Sequence, residues 1–231
     1  MADAELGTVV ITGGASGLGA ATAQAVAAEG GTPFVLDRHE PTYDVDHEVV
    51  DLAEGRAAEA AVERAAGRHG GLGAVVTAAA MDEPAPFDRI HAERWERILL
   101  VNLLGTAAVV RAALPHLERS HGTIVTVGST LGLSAVSDAT AYCASKFGVV
   151  GFTRSLAVET AGRVGVTLLI PGGMQTAFFD GRPEQYRPPE NAQLNRPEDV
   201  AKTILFALRQ PPGCEVRELV VCPSRESSWP P

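Results

Sequence analysis

Tyr142 and Lys146 stand four residues apart in Tyr142-Cys143-Ala144-Ser145-Lys146, a spacing that brings two side chains to one face of a helix. A phenol ionises near pH 10 in water, so as a proton relay at neutral pH it needs its anion stabilised. An ammonium group one helical turn away supplies that field. Ser129 precedes Tyr142 by 13 residues (142 − 129) and follows an apolar run that reads as a strand. From a strand end its hydroxyl could donate to a carbonyl oxygen held beside the phenol. The chemistry open to this set is proton transfer to or from an alcohol or ketone oxygen.

A second set lies near the N-terminus. Thr12-Gly13-Gly14-Ala15-Ser16-Gly17-Leu18-Gly19 joins an apolar run to an Ala-rich stretch. Gly13 permits a tight turn, Gly17 lets the backbone approach a pyrophosphate, and Gly19 lets helix and strand pack closely. Ser16, Gly17 and Leu18 then sit at a helix N-terminus, whose free N–H groups and positive dipole end suit phosphate. Asp37 closes the next apolar run, 18 residues beyond Gly19 (37 − 19). A carboxylate there accepts both hydrogen bonds of a ribose diol and repels a 2′-phosphate. NAD(H) is therefore expected in preference to NADP(H), although Arg38 beside it would welcome a phosphate.

The elements that position these groups follow from the hydrophobic pattern. Short apolar runs at 8–12, 33–36, 48–50, 74–77, 123–127, 166–170 and 216–221 read as strands. Longer stretches at 18–29, 56–68, 92–117, 139–161 and 197–208 read as helices, with Pro115 expected to cut the third. Strands apolar on both faces, alternating with helices, predict an α/β fold with a doubly wound, Rossmann-like parallel sheet in a single domain over 1–231. Two stretches deny regular structure. Residues 38–47 contain Pro41 and no helical period, which leaves little room for a crossover helix. Residues 177–196 are broken by Gly181, Pro183, Pro188, Pro189 and Asn191 and follow the end of a strand, where a substrate lid is expected.

Composition excludes several classes. The chain has 231 residues, 45% of them hydrophobic, and a formal net charge of -9. That balance argues against nucleic acid and an anionic membrane as partners. Three cysteines, an odd count without ligand spacing, exclude a disulfide framework and point to a reducing cytoplasm. The histidines show no pairing at ligand spacing, so no metal is expected. Residues 1–7 have no basic start followed by an apolar stretch, and the longest apolar run, 98–110, is too short to span a bilayer.

Taken together, these motifs resemble the short-chain dehydrogenase/reductase family over nearly the whole chain, with the TGxxxGxG form of its single-domain branch at 12–19. The resemblance implies that Asp51 and Leu52 contact adenine and that Asn102 is the family's active-site Asn. Pro171-Gly172-Gly173-Met174-Gln175-Thr176 looks like its PG-x-x-x-T segment, with Thr176 meeting the nicotinamide amide. Thr77, Ala78, Pro171, Gly172 and Met174 join the implied cofactor contacts. The implied roles are proton transfer for Tyr142, lowering of the phenol pKa and a hold on the nicotinamide ribose for Lys146, and orientation of the substrate oxygen for Ser129. Asn102 would support a water leading from Lys146 to solvent. Two departures stand out. Thr77-Ala78-Ala79-Ala80 replaces the family's NNAG, which should loosen hydrogen bonding and backbone approach there, and the short crossover at 38–47 should open the adenine pocket.

The implied activity is NAD(P)(H)-dependent interconversion of a secondary alcohol and a ketone, with NAD as cofactor. The alternative is a catalytically silent NAD-sensing or scaffold protein on the same fold. Leu131, Met174, Phe178 and Phe179 form an apolar candidate wall for a small-molecule substrate. Arg182 and Arg187 could grip a carboxylate or phosphate, and Asp82 and Glu83 could meet hydroxyls. A sugar, a hydroxy acid, a polyketide and a steroid all stay open. Helices rich in Ala and Gly near 105–112 and 139–148 suit close packing across a two-fold, and a homodimer or homotetramer is implied.

Overall fold

The computed structural model describes residues 6–211 and 213–231. The acidic residues 1–5, part of the stretch read above for a signal sequence, lie outside them. Seven strands form one sheet: β1 (Thr8–Thr12), β2 (Thr32–Asp37), β3 (Asp46–Val49), β4 (Ala74–Thr77), β5 (Thr123–Val127), β6 (Gly165–Pro171) and β7 (Glu218–Val221). Their order is β3-β2-β1-β4-β5-β6-β7 and every pairing is parallel. The helices are α1 (Gly17–Ala28), α2 (Gly55–His69), α3 (Ala92–Leu99), α4 (Thr106–Ser120), α5 (Thr140–Glu159) and α6 (Pro197–Leu208). The expected single-domain, doubly wound architecture is what folds.

The strands are apolar throughout because both faces are covered. In β1, Val10 joins a core with α2 and α4, while Val9 and Ile11 join one with α1 and α6. The same alternation sends Phe34 and Leu36 of β2 to the first side and Val35 to the second. Period-two side chains on a doubly covered sheet produce this division. Winding reverses direction between β1 and β4, which opens a crevice beyond the strands' C-terminal ends.

Three local expectations are corrected. The helix from Ala92 to Ser120 is not cut at Pro115, which lies inside α4. Pro115 is exposed, so the Arg111 carbonyl that loses its partner faces water. The helix is instead widened between α3 and α4 by a π-type segment, Leu100–Gly105. The full 29-residue helix is long and apolar enough to cross a membrane by length and composition, longer than the 98–110 run implied, and half of its apolar stretch is buried in the fold. At the edges, β3 starts at Asp46 and β7 at Glu218, two residues from where the pattern placed them. Residues 177–196 carry two single 3-10 turns, Ala177–Phe179 and Glu184–Tyr186, rather than none.

Candidate active site

The glycine turn leaves β1 and enters α1 over the crevice. Gly13 and Gly17 have φ of +72° and +54°, a region that side chains with a Cβ avoid. A Cβ on Gly13 would lie 2.7 Å from the Ala79 Cα, and one on Gly19 would lie 2.2 Å from the Gly13 carbonyl oxygen. Strand, turn and helix are therefore packed backbone to backbone. Ala79 donates its N–H to the Thr12 hydroxyl oxygen at 3.1 Å. The close approach thus survives the replacement of NNAG. Thr77 is buried, and its hydroxyl is left without a hydrogen-bond partner. The first turn of α1 holds no acidic residue, so its N–H groups and dipole are not neutralised locally.

Asp37, at the end of β2, accepts the Ala15 N–H on one oxygen and the His39 N–H on the other, both at 3.0 Å. Its carboxylate is pinned over the turn. Arg38 is exposed and donates to His39 at 3.1 Å. Asp51 accepts from the Ala53 N–H at 3.0 Å and pairs with Arg97 at 2.6 Å, which holds its carboxyl below the usual range against the opposing effect of burial. In the short segment after β2, Tyr43 donates its hydroxyl to the Gly14 carbonyl at 2.7 Å. Burial and the nearby Asp37 charge raise the Tyr43 pKa to about 12. Neither Tyr43 nor Arg97 carried a sequence signal, since each acts through a tertiary contact.

At the other end, Ser129 follows β5 and Tyr142 and Lys146 project from α5. Gly132 lets the chain after Ser129 press on this helix: its Cβ would sit 2.8 Å from the Lys146 carbonyl oxygen. Tyr142 is 9% exposed and Lys146 2%. The Lys146 ammonium lies 5.7 Å from the Tyr142 ring centroid and donates to the Val127 carbonyl at 2.8 Å. Burial pushes the Lys146 pKa down to about 8. Burial raises that of Tyr142, the Asp82 charge adds to the rise, and the hydrogen bond with Ser129 and the Arg182 charge work against it. The lowering of the phenol expected from Lys146 is therefore not what this arrangement shows: burial dominates, and the groups that oppose it are Ser129 and Arg182.

Asn102 sits in the π segment, 1% exposed. Its side-chain oxygen accepts the Met81 N–H at 2.8 Å, and its amide donates to the Met81 carbonyl at 2.9 Å and to the Ser145 hydroxyl at 3.1 Å. Ser145 in turn donates to the Tyr142 carbonyl at 2.7 Å. The side chain therefore ties the loop after β4 to the Tyr142 turn of α5.

One cavity of about 720 Å³ joins both ends. Gly13, Ser16, Gly17, Leu18, Gly19, Asp37, Arg38, Asp51 and Leu52 line its first part, and Ala78, Pro171, Gly172, Met174 and Thr176 its middle. Ser129, Leu131, Tyr142, Lys146, Phe178 and Phe179 line the rest. Of the sequence candidates, Thr77 and Asn102 lie behind its wall. A Cβ on Gly17 would be 3.3 Å from the Thr176 side chain, so the crevice is narrow at its middle. Glu226, from the C-terminal tail, also lines the cavity. It accepts the Gly173 N–H at 2.9 Å, and the Ser228 beside it donates to Thr130 at 2.7 Å. A larger concavity of about 1270 Å³ at the opposite end of the strands, lined by loops around Gly73 and Gly122, contains none of these groups.

Residues 7–187 match the short chain dehydrogenase family, and the chain belongs to it. It is 33% identical over 216 residues to a cis-4-hydroxycyclohexanecarboxylate dehydrogenase of Sinomonas cyclohexanicum, covering 85% of this chain and 87% of that one. It is 31% identical over 216 residues to a 3-oxoacyl-acyl-carrier-protein reductase of Thermotoga maritima, covering 85% and 88%. In fold it is similar to an alcohol dehydrogenase of the archaeon Thermococcus sibiricus solved with 5-hydroxy-NADP, at a TM-score of 0.83 and 23% identity, covering 93% and 95%. The protein is an oxidoreductase of this family.

Proposed function

We propose that the chain interconverts a secondary alcohol and a ketone, with Tyr142 as acid and base and NAD(H) preferred over NADP(H). The observation that carries this reading is the shared crevice: Ser129, Tyr142 and Lys146 line the same cavity as the glycine turn and Asp37. The residues fit a dinucleotide, because Ser16, Gly17 and Leu18 bring the N-terminus of α1, with no acidic residue in its first turn, to the wall of the crevice. Bound there, it supplies or accepts the hydride. Gly13, Ser16, Gly17, Leu18 and Gly19 hold the phosphates. Asp37 takes the ribose diol, and Asp51 and Leu52 flank the adenine, with Arg38 beside them. Ala78, Pro171, Gly172, Met174 and Thr176 line the way to the nicotinamide, and Thr77 supports that wall from behind.

In oxidation the Tyr142 phenolate oxygen takes the alcohol proton, and in reduction the Tyr142 hydroxyl gives it back. Ser129 holds the substrate oxygen against that hydroxyl and stabilises charge developing on it. The Lys146 cation, 5.7 Å from the phenol ring, stabilises the phenolate. Asn102 is a positioning residue, bracing the Tyr142 turn through Ser145 and Met81. Leu131, Met174, Phe178 and Phe179 give the substrate end an apolar wall, over which 177–196 acts as a lid. Exposed Leu100, Leu104 and Phe147 on the long helix and α5 support a homodimer or homotetramer built on these elements.

Tyr142→Phe tests the reading. Turnover of any alcohol or ketone that the wild type accepts should fall by about 10²- to 10⁴-fold, with nucleotide affinity preserved. Wild-type turnover in this variant would overturn the assignment. Tight nucleotide binding with no turnover across a broad alcohol panel would favour the silent alternative.

A further inference from the structure

We propose that Asp82 and Arg182 form a recognition subsite for neutral hydroxyl groups, and that the substrate is a sugar or another polyol. The proposal rests on the oxidoreductase reading above and names the substrate class of that same site.

The two residues come from distant parts of the chain. Asp82 lies in the loop after β4, directly after Met81, which Asn102 clamps through both backbone groups. Arg182 lies in 177–196. Their side chains are 6% and 11% exposed and meet at 2.9 Å, and both line the crevice. The Arg182 guanidinium carbon sits 4.6 Å from the Phe178 ring centroid and 4.9 Å from that of Phe179. Phe178 in turn lies 5.7 Å from the Tyr142 ring. The pair therefore stands one aromatic ring away from the phenol, on the substrate side.

The pair is incompletely satisfied. Arg182 Nη2 is the atom that meets Asp82 Oδ2, whereas Asp82 Oδ1 and Arg182 Nε are buried without a partner. Buried polar groups are costly unless bonded, and native proteins rarely leave two side by side. Arg187 and Glu83, the other charged candidates of this region, differ: both are at the surface, where Arg187 donates to the Arg182 carbonyl and Glu83 pairs with Arg94.

The two orphans are of both kinds, one acceptor and one donor. A single hydroxyl can donate to Asp82 Oδ1 and accept from Arg182 Nε. A carboxylate has only acceptors. It would serve Arg182, leave Asp82 Oδ1 unpaired and place two like charges side by side. A purely apolar substituent leaves every orphan unsatisfied. A site whose buried polar groups need a hydroxyl rejects analogues that lack one.

The test uses the nucleotide-loaded full chain and three probes: L-fucose or D-glucose, cyclohexanol, and a hydroxycyclohexanecarboxylate, each with NAD⁺ and with NADP⁺. Initial rates are read at the nicotinamide absorbance. The sugars should show the highest kcat/KM. Arg182→Met and Asp82→Ala should lower that value by about 10- to 100-fold, mainly through KM, and lower it far less for cyclohexanol. Arg182→Lys, which keeps the charge but loses the planar fork, should fall between, and it serves if Arg182→Met does not fold. A wild-type preference for the carboxylate, strengthened by Asp82→Asn, would overturn the proposal. Equal losses on all three probes would overturn it too, and would make the pair a clasp for 177–196. If no alcohol reacts with either nucleotide, the oxidoreductase reading fails instead. The subsite is then judged by calorimetry of the sugars on the nucleotide-loaded protein, where absence of binding overturns it.

Discussion

The two ends of the crevice are built on opposite terms. At the glycine-turn end the charged groups and Tyr43 find their partners within the chain, the buried Thr77 hydroxyl being the exception. Asp37 is held by two N–H groups, Asp51 by an N–H and Arg97, and Tyr43 by the Gly14 carbonyl. Its glycines are packed so tightly that a methyl group meets backbone. At the substrate end, the rings of Phe178 and Phe179 surround a buried ion pair with unmet hydrogen bonds. One end is completed by folding, the other by what binds. A common cofactor can be met by a preformed surface, whereas discrimination among substrates needs polar groups whose satisfaction depends on the right ligand.

That contrast can be broken by mutation. After the loss of turnover expected of Tyr142→Phe, the next largest effect should come from Gly19→Ala. Its new methyl would lie 2.2 Å from the Gly13 carbonyl oxygen, which is backbone and cannot swing away. A cost of about 1–3 kcal/mol is expected, seen as a lower Tm and weaker nucleotide binding. Gly181→Ala is the control at the other end. Its φ is +73°, but nothing lies within 4 Å, so only the strain of about 1–2 kcal/mol applies. Nucleotide affinity should be kept. If both variants lose nucleotide equally, the two ends do not differ as described.

A smaller effect is expected at Asp37. Asp37→Ser removes the carboxylate and leaves Arg38 in place, so the ratio of kcat/KM for NAD⁺ over that for NADP⁺ should fall by about tenfold or more. An unchanged ratio would show that Asp37 serves only the turn.

The smallest effect is on stability. Burial pushes the Lys146 pKa down to about 8 in the folded protein, from 10.5 for a free side chain. Between those values the unfolded chain binds the extra proton, so stability rises with pH across that window and the contribution is lost below it. Lys146→Met should remove this slope from a Tm-against-pH series. A slope identical to wild type would place the buried ammonium's titration elsewhere.

The legible part of the site was the part built from short-range rules. Tyr142 and Lys146 share a helical face at any i, i+4 spacing, and the glycine turn announces itself by sterics between near neighbours in the chain. Both-face apolar runs read directly as buried parallel strands, and the order of elements followed. Pro115 was misread because helix-breaking depends on where the freed carbonyl points, and here it points to water. The π segment at Asn102 was invisible because its widened turn is tied to a contact with Met81, not to its own residue types.

The sequence by itself determined the alternation of elements, the α/β class, the glycine turn into the first helix and the placing of phenol and ammonium on one helix. These depend on periodicity, on φ preferences and on spacing along one helix, all of which are local. Only the tertiary structure decided that Asp82 faces Arg182, that Glu226 returns from the tail to hold Gly173, and that Tyr43 closes over Gly14. Such contacts join residues whose distance in the chain carries no information about their distance in space. They exist because a sheet covered on both faces leaves buried polar groups to seek partners among whatever the fold brings near.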